Sequence, residues 1–368
     1  MDKKLRIIIS GGGTGGHIFP AISIANAIKE QHPDTDILFV GAEGRMEMQR
    51  VPDAGYNITG LPVAGFDRKH LWRNLSVLFK LLKSQRKARR IIKEFHPHVA
   101  VGVGGYASGP ILKVAQMMKI PTLIQEQNSY AGVTNKLLAK KANKICVAYP
   151  GMEKFFPSDK IILTGNPVRQ GLLKHLTSRD EALRTYGFDS NKKTVLILGG
   201  SLGARSINQC LMNSLKQIRS ATDVQFIWQT GKIYHEQVAA VVKMASLISN
   251  LYITDFIKDM TIAYTAADLI VSRAGAGSIS EFCLLRKPVI LIPSPNVAED
   301  HQTKNAMALV NKQAALYVKD SEVNEMLLPT IIEVIHNEET LNRLRVNIAT
   351  LALPDSANII AKEVLKLI

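Results

Sequence analysis

The sequence predicts an α/β protein of two Rossmann-like domains, each built on a parallel sheet, whose loops would face a central cleft. Three observations predict it. Short apolar runs alternate with longer amphipathic segments from the first residues on. The same rhythm restarts after residue 190. Each half also places its main glycine-rich loop directly after its first clear strand, at 11–16 and at 199–203. In open α/β sheets ligands bind beyond the carboxyl ends of the strands, so both loops are candidate binding loops.

The first half carries candidate strands at 5–10, 36–40, 98–101, 122–125 and 144–147, with helical patterns between them, such as 18–31 and 109–118. The second half carries them at 194–198, 224–228, 252–254, 269–272 and 289–292. Between the two series lies the turn-rich Gly165-Asn166-Pro167-Val168. The domains are therefore expected at 1–165 and 166–354, with a last helix at about 355–368 packing back on the first. The N-terminal apolar run is too short for a signal peptide and reads as a buried first strand. No stretch approaches the ~18 uninterrupted apolar residues of a spanning helix.

With 368 residues, 46% of them apolar, the chain can bury two cores. It has 46 Lys and Arg against 31 Asp and Glu, a net +15, which calls for a polyanionic partner. No reader motif or aromatic platform supports nucleic acid as that partner. Cys146, Cys210 and Cys283 form no Cys-x-x-Cys pair and read as reduced, buried packing groups of a reducing compartment.

The strongest motif is Gly11-Gly12-Gly13-Thr14-Gly15-Gly16-His17. Glycines permit positive φ and close backbone approach, and the amides of a helix start can then bind an anion. The run contains G-x-G-x-x-G, so dinucleotide binding and a plain strand-to-helix turn both compete. A dinucleotide site expects an acid at the end of the next strand, and Glu43 is a displaced candidate. His17 can be a general base near neutral pH, or a structural residue bonding a phosphate or capping the helix.

The second loop, Gly199-Gly200-Ser201-Leu202-Gly203, lacks the spacing of an ATPase loop; Ser201 can bond a phosphate or cap its helix. A third loop precedes Ala276, Gly277, Ser278, Ile279 and Ser280, whose amides can meet a phosphate. Glu281 follows within the helix, placed either to accept a ribose diol or to complement the helix dipole. Gln302 can read sugar hydroxyls. Gly104, Gly105 and Tyr106, and Glu126 with Asn128, also follow strands of the first domain.

In this order and spread over nearly the whole chain, these elements closely resemble the MurG family of peptidoglycan N-acetylglucosaminyltransferases. The matching residues are 12–17 with Phe19-Pro20, 104–110, 126–128, 165–169, 199–204, Phe256-Ile257, Ser280-Glu281 and Gln302. The resemblance implies a GT-B fold and an inverting transfer of GlcNAc from UDP-GlcNAc to lipid I, giving lipid II. It implies that Thr14, Gly15, Gly16 and Asn128 approach the donor sugar, and that Arg169 and Ile257 lie near the uracil. Ser201 and residues 276–280 would hold the diphosphate, Glu281 the ribose, and Gln302 the sugar hydroxyls. His17 would be the base, with Glu126 or Asn128 assisting. Gly104, Gly105, Tyr106 and Glu126 would meet the acceptor. The sequence departs from the family at Leu202, where a glutamine is expected, and at His301, where a second glutamine is common. No DxD-like motif sits in a suitable loop, so neither a catalytic metal nor a cofactor is expected. Another UDP-sugar transferase and an NAD-dependent oxidoreductase remain as alternatives.

From Arg68 to Lys93 there are ten Lys or Arg and no acid. Leu71, Trp72, Leu75, Leu78 and Phe79 recur there at helical spacing. Such a helix can lie in an anionic bilayer interface, or its stripe can pack in the core. A lipid-linked acceptor favours membrane contact for residues 71–79. The expected setting is peripheral, on the cytoplasmic face of the bacterial inner membrane, alongside other cell-wall synthesis proteins.

Overall fold

A computed structural model describes residues 4–63, 74–168, 172, 177–200, 202–245 and 248–368. The chain divides into two compact units, Met1–Gln170 with Leu353–Ile368, and Gly171–Ala352.

The first unit is built on strands β1 (Arg6–Ser10), β2 (Asp36–Ala42), β3 (Asn57–Leu61), β4 (Val99–Gly102), β5 (Thr122–Glu126), β6 (Lys144–Val147) and β7 (Ile161–Leu163). They form one parallel sheet in the order β3-β2-β1-β4-β5-β6-β7. A strand flanked on both sides and covered on both faces has no wet side, so β1 reads Ile7-Ile8-Ile9 without alternation. Ile8 enters one core with Ala88 and Ile92 of the helix Asn74–Phe95 and Ile111 of the helix Ser108–Met117. Ile7 and Ile9 enter the opposite core with Ile18, Ile24 and Ile28 of the helix Gly15–Gln31. The helix Ser356–Leu365 adds Ile360, Ala361 and Val364 to that second core. The end of the chain thus completes the unit that begins it. The passing segments are close: a Cβ on Gly165, which has φ +80°, would fall 2.6 Å from the Leu353 Cβ.

The second unit repeats the plan with β8 (Lys193–Leu198), β9 (Val224–Gln229), β10 (Leu251–Thr254), β11 (Leu269–Ser272), β12 (Val289–Leu291) and β13 (Leu316–Tyr317). Its parallel order is β10-β9-β8-β11-β12-β13. In both sheets the chain works outward from its first strand, then returns to that strand's other side. The loops after β1 and β4, and after β8 and β11, open at this switch point, where doubly wound sheets take their ligands.

Three strands, β3, β7 and β13, have no counterpart among the sequence-predicted ones. All three lie at sheet edges, and β7 and β13 are only three and two residues long, too short to stand out as strands. The three cysteines are free and buried. Burial pushes the Cys146 and Cys283 thiols up to about 12, so both stay neutral packing groups. Among the described residues no helix is long and apolar enough to cross a membrane.

Candidate active site

In the first unit the chain leaves β1 at Ser10, turns through glycines 11–13 and enters its helix at Gly15. Gly13 has φ +86°, a conformation that L side chains rarely adopt. His17 lies in the first turn of the helix. Its Nδ1 is 3.0 Å from the Gly12 carbonyl and 3.4 Å from the Thr14 hydroxyl. A carbonyl only accepts, so Nδ1 carries a proton, and in the neutral ring the lone pair is then on Nε2. This is the tautomer a general base needs.

The loop after β4 packs on the same place. A Cβ on Gly104, at φ +98°, would fall 2.8 Å from His17 Nε2. One on Gly105, at φ +86°, would fall 2.3 Å from the Gly12 carbonyl oxygen. Ser108 ties the two loops, donating to the carbonyls of Ser10 and Gly104, each at 2.8 Å. Glycines 12, 104 and 105 and His17 are thus brought together, with Thr14, Gly15 and Gly16 opening the helix beside them. Tyr106 is exposed.

Glu126, at the end of β5, is only 2% exposed. Its Oε1 accepts from the Asn128 amide at 3.0 Å and from Asn128 Nδ2 at 3.2 Å. Its Oε2 accepts from the Gly132 amide at 3.0 Å and from Asn135 Nδ2 at 2.8 Å. Four donors converge on this carboxylate and tie it to the loop that presents Asn128.

Two residues that the sequence reading overlooks fix the glycine loops. Glu47, just beyond β2, is fully buried beneath the first loop and accepts from the Gly13 amide. Gln229, at the end of β9, receives the Gly200 amide and donates to the Gly200 carbonyl, each at 2.9 Å. Each unit thus anchors its glycine loop from the neighbouring strand's end. Nothing in the local pattern marks Glu47, which opens the helix Glu47–Asp53; for Gln229 the signal is a polar residue at the carboxyl end of the strand next to a glycine loop. Glu43, the displaced candidate for a dinucleotide ribose, pairs instead with Lys87 at 2.8 Å.

In the second unit, the loop 199–204 contains Gly200 at φ +78° and Gly203 at φ +91°. Leu202 projects from it, 64% exposed. The loop after β11 is anchored by Arg273, which donates to Asp320 at 2.5 Å, to Ser206 at 3.0 Å and to the Ile292 carbonyl at 3.1 Å. It leads into the helix Ala276–Leu284, whose first turns hold Ala276, Gly277, Ser278, Ile279 and Ser280. Amides in the opening turn of a helix have no partner in the preceding turn and favour anions.

Glu281 is 7% exposed, and its Oε2 accepts the buried Tyr264 hydroxyl at 2.6 Å. A helix-start glutamate serving only the dipole would stand in solvent. Gln302, near the start of the helix His301–Val310, accepts the Ser294 amide at 2.8 Å through Oε1. Ile257 is buried after β10. Arg169, Ser201, Leu71 and Trp72 lie outside the described residues. Leu75 and Leu78 fall within the helix Asn74–Phe95.

Residues 7–147 match the family model for the glycosyltransferase family 28 N-terminal domain, and residues 194–358 the model for its C-terminal domain. The chain is 73% identical over 363 residues to the UDP-N-acetylglucosamine–N-acetylmuramyl-(pentapeptide) pyrophosphoryl-undecaprenol N-acetylglucosamine transferase of Bacteroides fragilis. That match covers 99% of this chain and 96% of the relative. The protein of the same name from Parabacteroides distasonis is 60% identical over 366 residues, covering 100% and 99%. Among solved structures, Acinetobacter baumannii MurG superposes with a TM-score of 0.78 at 27% identity, covering 98% of this chain and 99% of that one. Its two parallel Rossmann-like sheets are those of the GT-B transferases. With both halves matched in order and relatives this close along its whole length, the chain belongs to glycosyltransferase family 28.

Proposed function

We propose that this protein transfers GlcNAc from UDP-GlcNAc to the MurNAc 4-hydroxyl of lipid I, giving lipid II for peptidoglycan. One observation carries the reading: 73% identity to a transferase of that name, over a span that takes in both units.

The reaction is an in-line displacement with inversion. The MurNAc oxygen bonds to the GlcNAc anomeric carbon as the bond from that carbon to the diphosphate oxygen breaks. UDP departs with the electron pair, and the hydroxyl proton passes to His17 Nε2. The Nδ1–H tautomer set by the Gly12 carbonyl supports this role. The diphosphate charge that develops on UDP is met by residues 276–280 at the start of their helix, through the amides of its opening turn, together with Ser201. Glu281 takes the ribose diol, Gln302 the sugar hydroxyls, and Arg169 with Ile257 the uracil. Thr14, Gly15, Gly16 and Asn128 serve the donor sugar. Gly104, Gly105, Tyr106 and Glu126 serve the acceptor. The test is transfer of labelled GlcNAc from UDP-GlcNAc to a lipid I analogue. A labelled disaccharide lipid is expected; no product at saturating substrates overturns the assignment.

A lipid-linked acceptor places the work at a membrane, here peripherally and on the cytoplasmic face. The helix Asn74–Phe95 supports a contact surface. Its later turns bury Ala88, Ile91 and Ile92, while Phe79 is 73% exposed and Leu82 is exposed beside it. A groove of about 290 Å³ next to Leu82 is lined by Met117 and Met118 and flanked by Arg86 and Arg89. Each basic residue near an anionic surface contributes about 1 kcal/mol, screened by salt. Sedimentation with vesicles should show binding to anionic lipid that falls as salt rises. Equal, salt-insensitive binding to neutral and anionic vesicles counts against this surface.

A further inference from the structure

The carboxylate of Glu47 bridges two backbone amides without any exposure to solvent. Its Oε1 accepts from the Ala42 N–H and its Oε2 from the Gly13 N–H, each at 2.9 Å. The Gly13 N–H and the Gly12 carbonyl belong to one peptide unit. That carbonyl in turn receives His17 Nδ1–H at 3.0 Å. No cis peptide occurs among the described residues, so the N–H and C=O point to opposite sides of this planar unit. One peptide is therefore gripped from both sides, by a carboxylate and by an imidazole. Space for the carboxylate exists because residues 12 and 41 lack side chains. A Cβ on Gly12 would fall 2.1 Å from Glu47 Oε1, and one on Gly41 2.6 Å from its Cγ.

We infer that Glu47 is a positioning residue for the transfer, acting on His17 through the Gly12–Gly13 peptide. The inference rests on His17 as the base and deepens that reading. An amide whose N–H is held by an anion has a carbonyl that accepts more strongly, because hydrogen bonds in a chain polarise one another. The stronger acceptor fixes the Nδ1–H tautomer and the ring angle, and raises the basicity of Nε2. The arrangement does what a carboxylate bonded directly to an imidazole does, with a peptide interposed.

Glu47→Gln removes this grip with little change of shape. The amide keeps one acceptor oxygen and turns an N–H₂ toward the other backbone N–H, so one of the two bonds is lost. Nitrogen-15 spectra of histidine-labelled protein, with the His17 signals assigned from His17→Gln, read the tautomer directly. In the unaltered protein, neutral His17 is expected to show a protonated Nδ1 and a bare Nε2. In Glu47→Gln the two ring shifts should converge. kcat should fall on the order of tenfold while KM for UDP-GlcNAc stays unchanged. Unchanged ring shifts overturn the inference, as does an unchanged kcat in Glu47→Gln when His17→Ala is inactive. Should Glu47→Gln fail to fold, the unaltered protein still decides. Protonating His17 should move the Gly13 amide signal, and a Gly13 amide blind to that titration overturns the relay. The spectra report on the relay whatever His17 does in turnover, while His17→Ala tests the base role separately.

Discussion

Replacing His17 by alanine should lower kcat by about 10²- to 10⁴-fold, with KM for UDP-GlcNAc nearly unchanged. The size follows from the work assigned to Nε2. It accepts a proton late in the displacement, when the acceptor oxygen has become acidic, and alanine offers no acceptor. The donor constant should hold because the groups proposed for the diphosphate, the ribose and the sugar hydroxyls, Ser201 and residues 276–281 with Gln302, belong to the other unit. A side chain that acts only in the transition state lowers kcat and kcat/KM together. Steady-state rates at saturating donor and acceptor make the measurement. Near-normal turnover in His17→Ala would remove the imidazole from the chemistry and leave it as a brace for the Gly12 turn.

Glu281→Ala should act on binding instead. A hydrogen bond to a charged group contributes about 1.5–3 kcal/mol, so losing the ribose contacts should weaken UDP binding by roughly 10- to 100-fold. The substitution also removes the acceptor of the Tyr264 hydroxyl, which is buried and bonded at 2.6 Å. Glu281→Gln separates the two effects, since its carbonyl oxygen can still accept from Tyr264 while the carboxylate charge is gone. The expected order of UDP affinity by calorimetry is Glu281, then Gln, then Ala. Identical affinity in all three would reject the ribose role.

The central strands were legible because burial on both faces leaves nothing to alternate. Ile7-Ile8-Ile9, Val195-Leu196-Ile197 and Leu269-Ile270-Val271 announce themselves as apolar runs. The glycine loops were legible because few other residues turn a chain so tightly beside a strand end. Glu47 was not, for a physical reason. Standing between Arg45 and Arg50, it has the look of a solvated helix glutamate. Only the fold reveals that the Ala42 and Gly13 amides converge on it. Gln229 simply continues the strand Val224–Gln229, and its partner Gly200 lies in a loop 29 residues earlier. Glu126 is the intermediate case: its place beside a candidate site suggested chemistry, and only the fold shows the backbone and side-chain donors gathered on it.

The last helix has a consequence for biogenesis. Ile360, Ala361 and Val364 seal a core whose other members lie between Ile7 and Cys146, made more than two hundred residues earlier. The unit Gly171–Ala352 is contiguous and can condense as soon as it clears the ribosome. The amino-terminal lobe cannot close until residues 356–365 have also emerged, so the portion made first is finished after the unit that follows it.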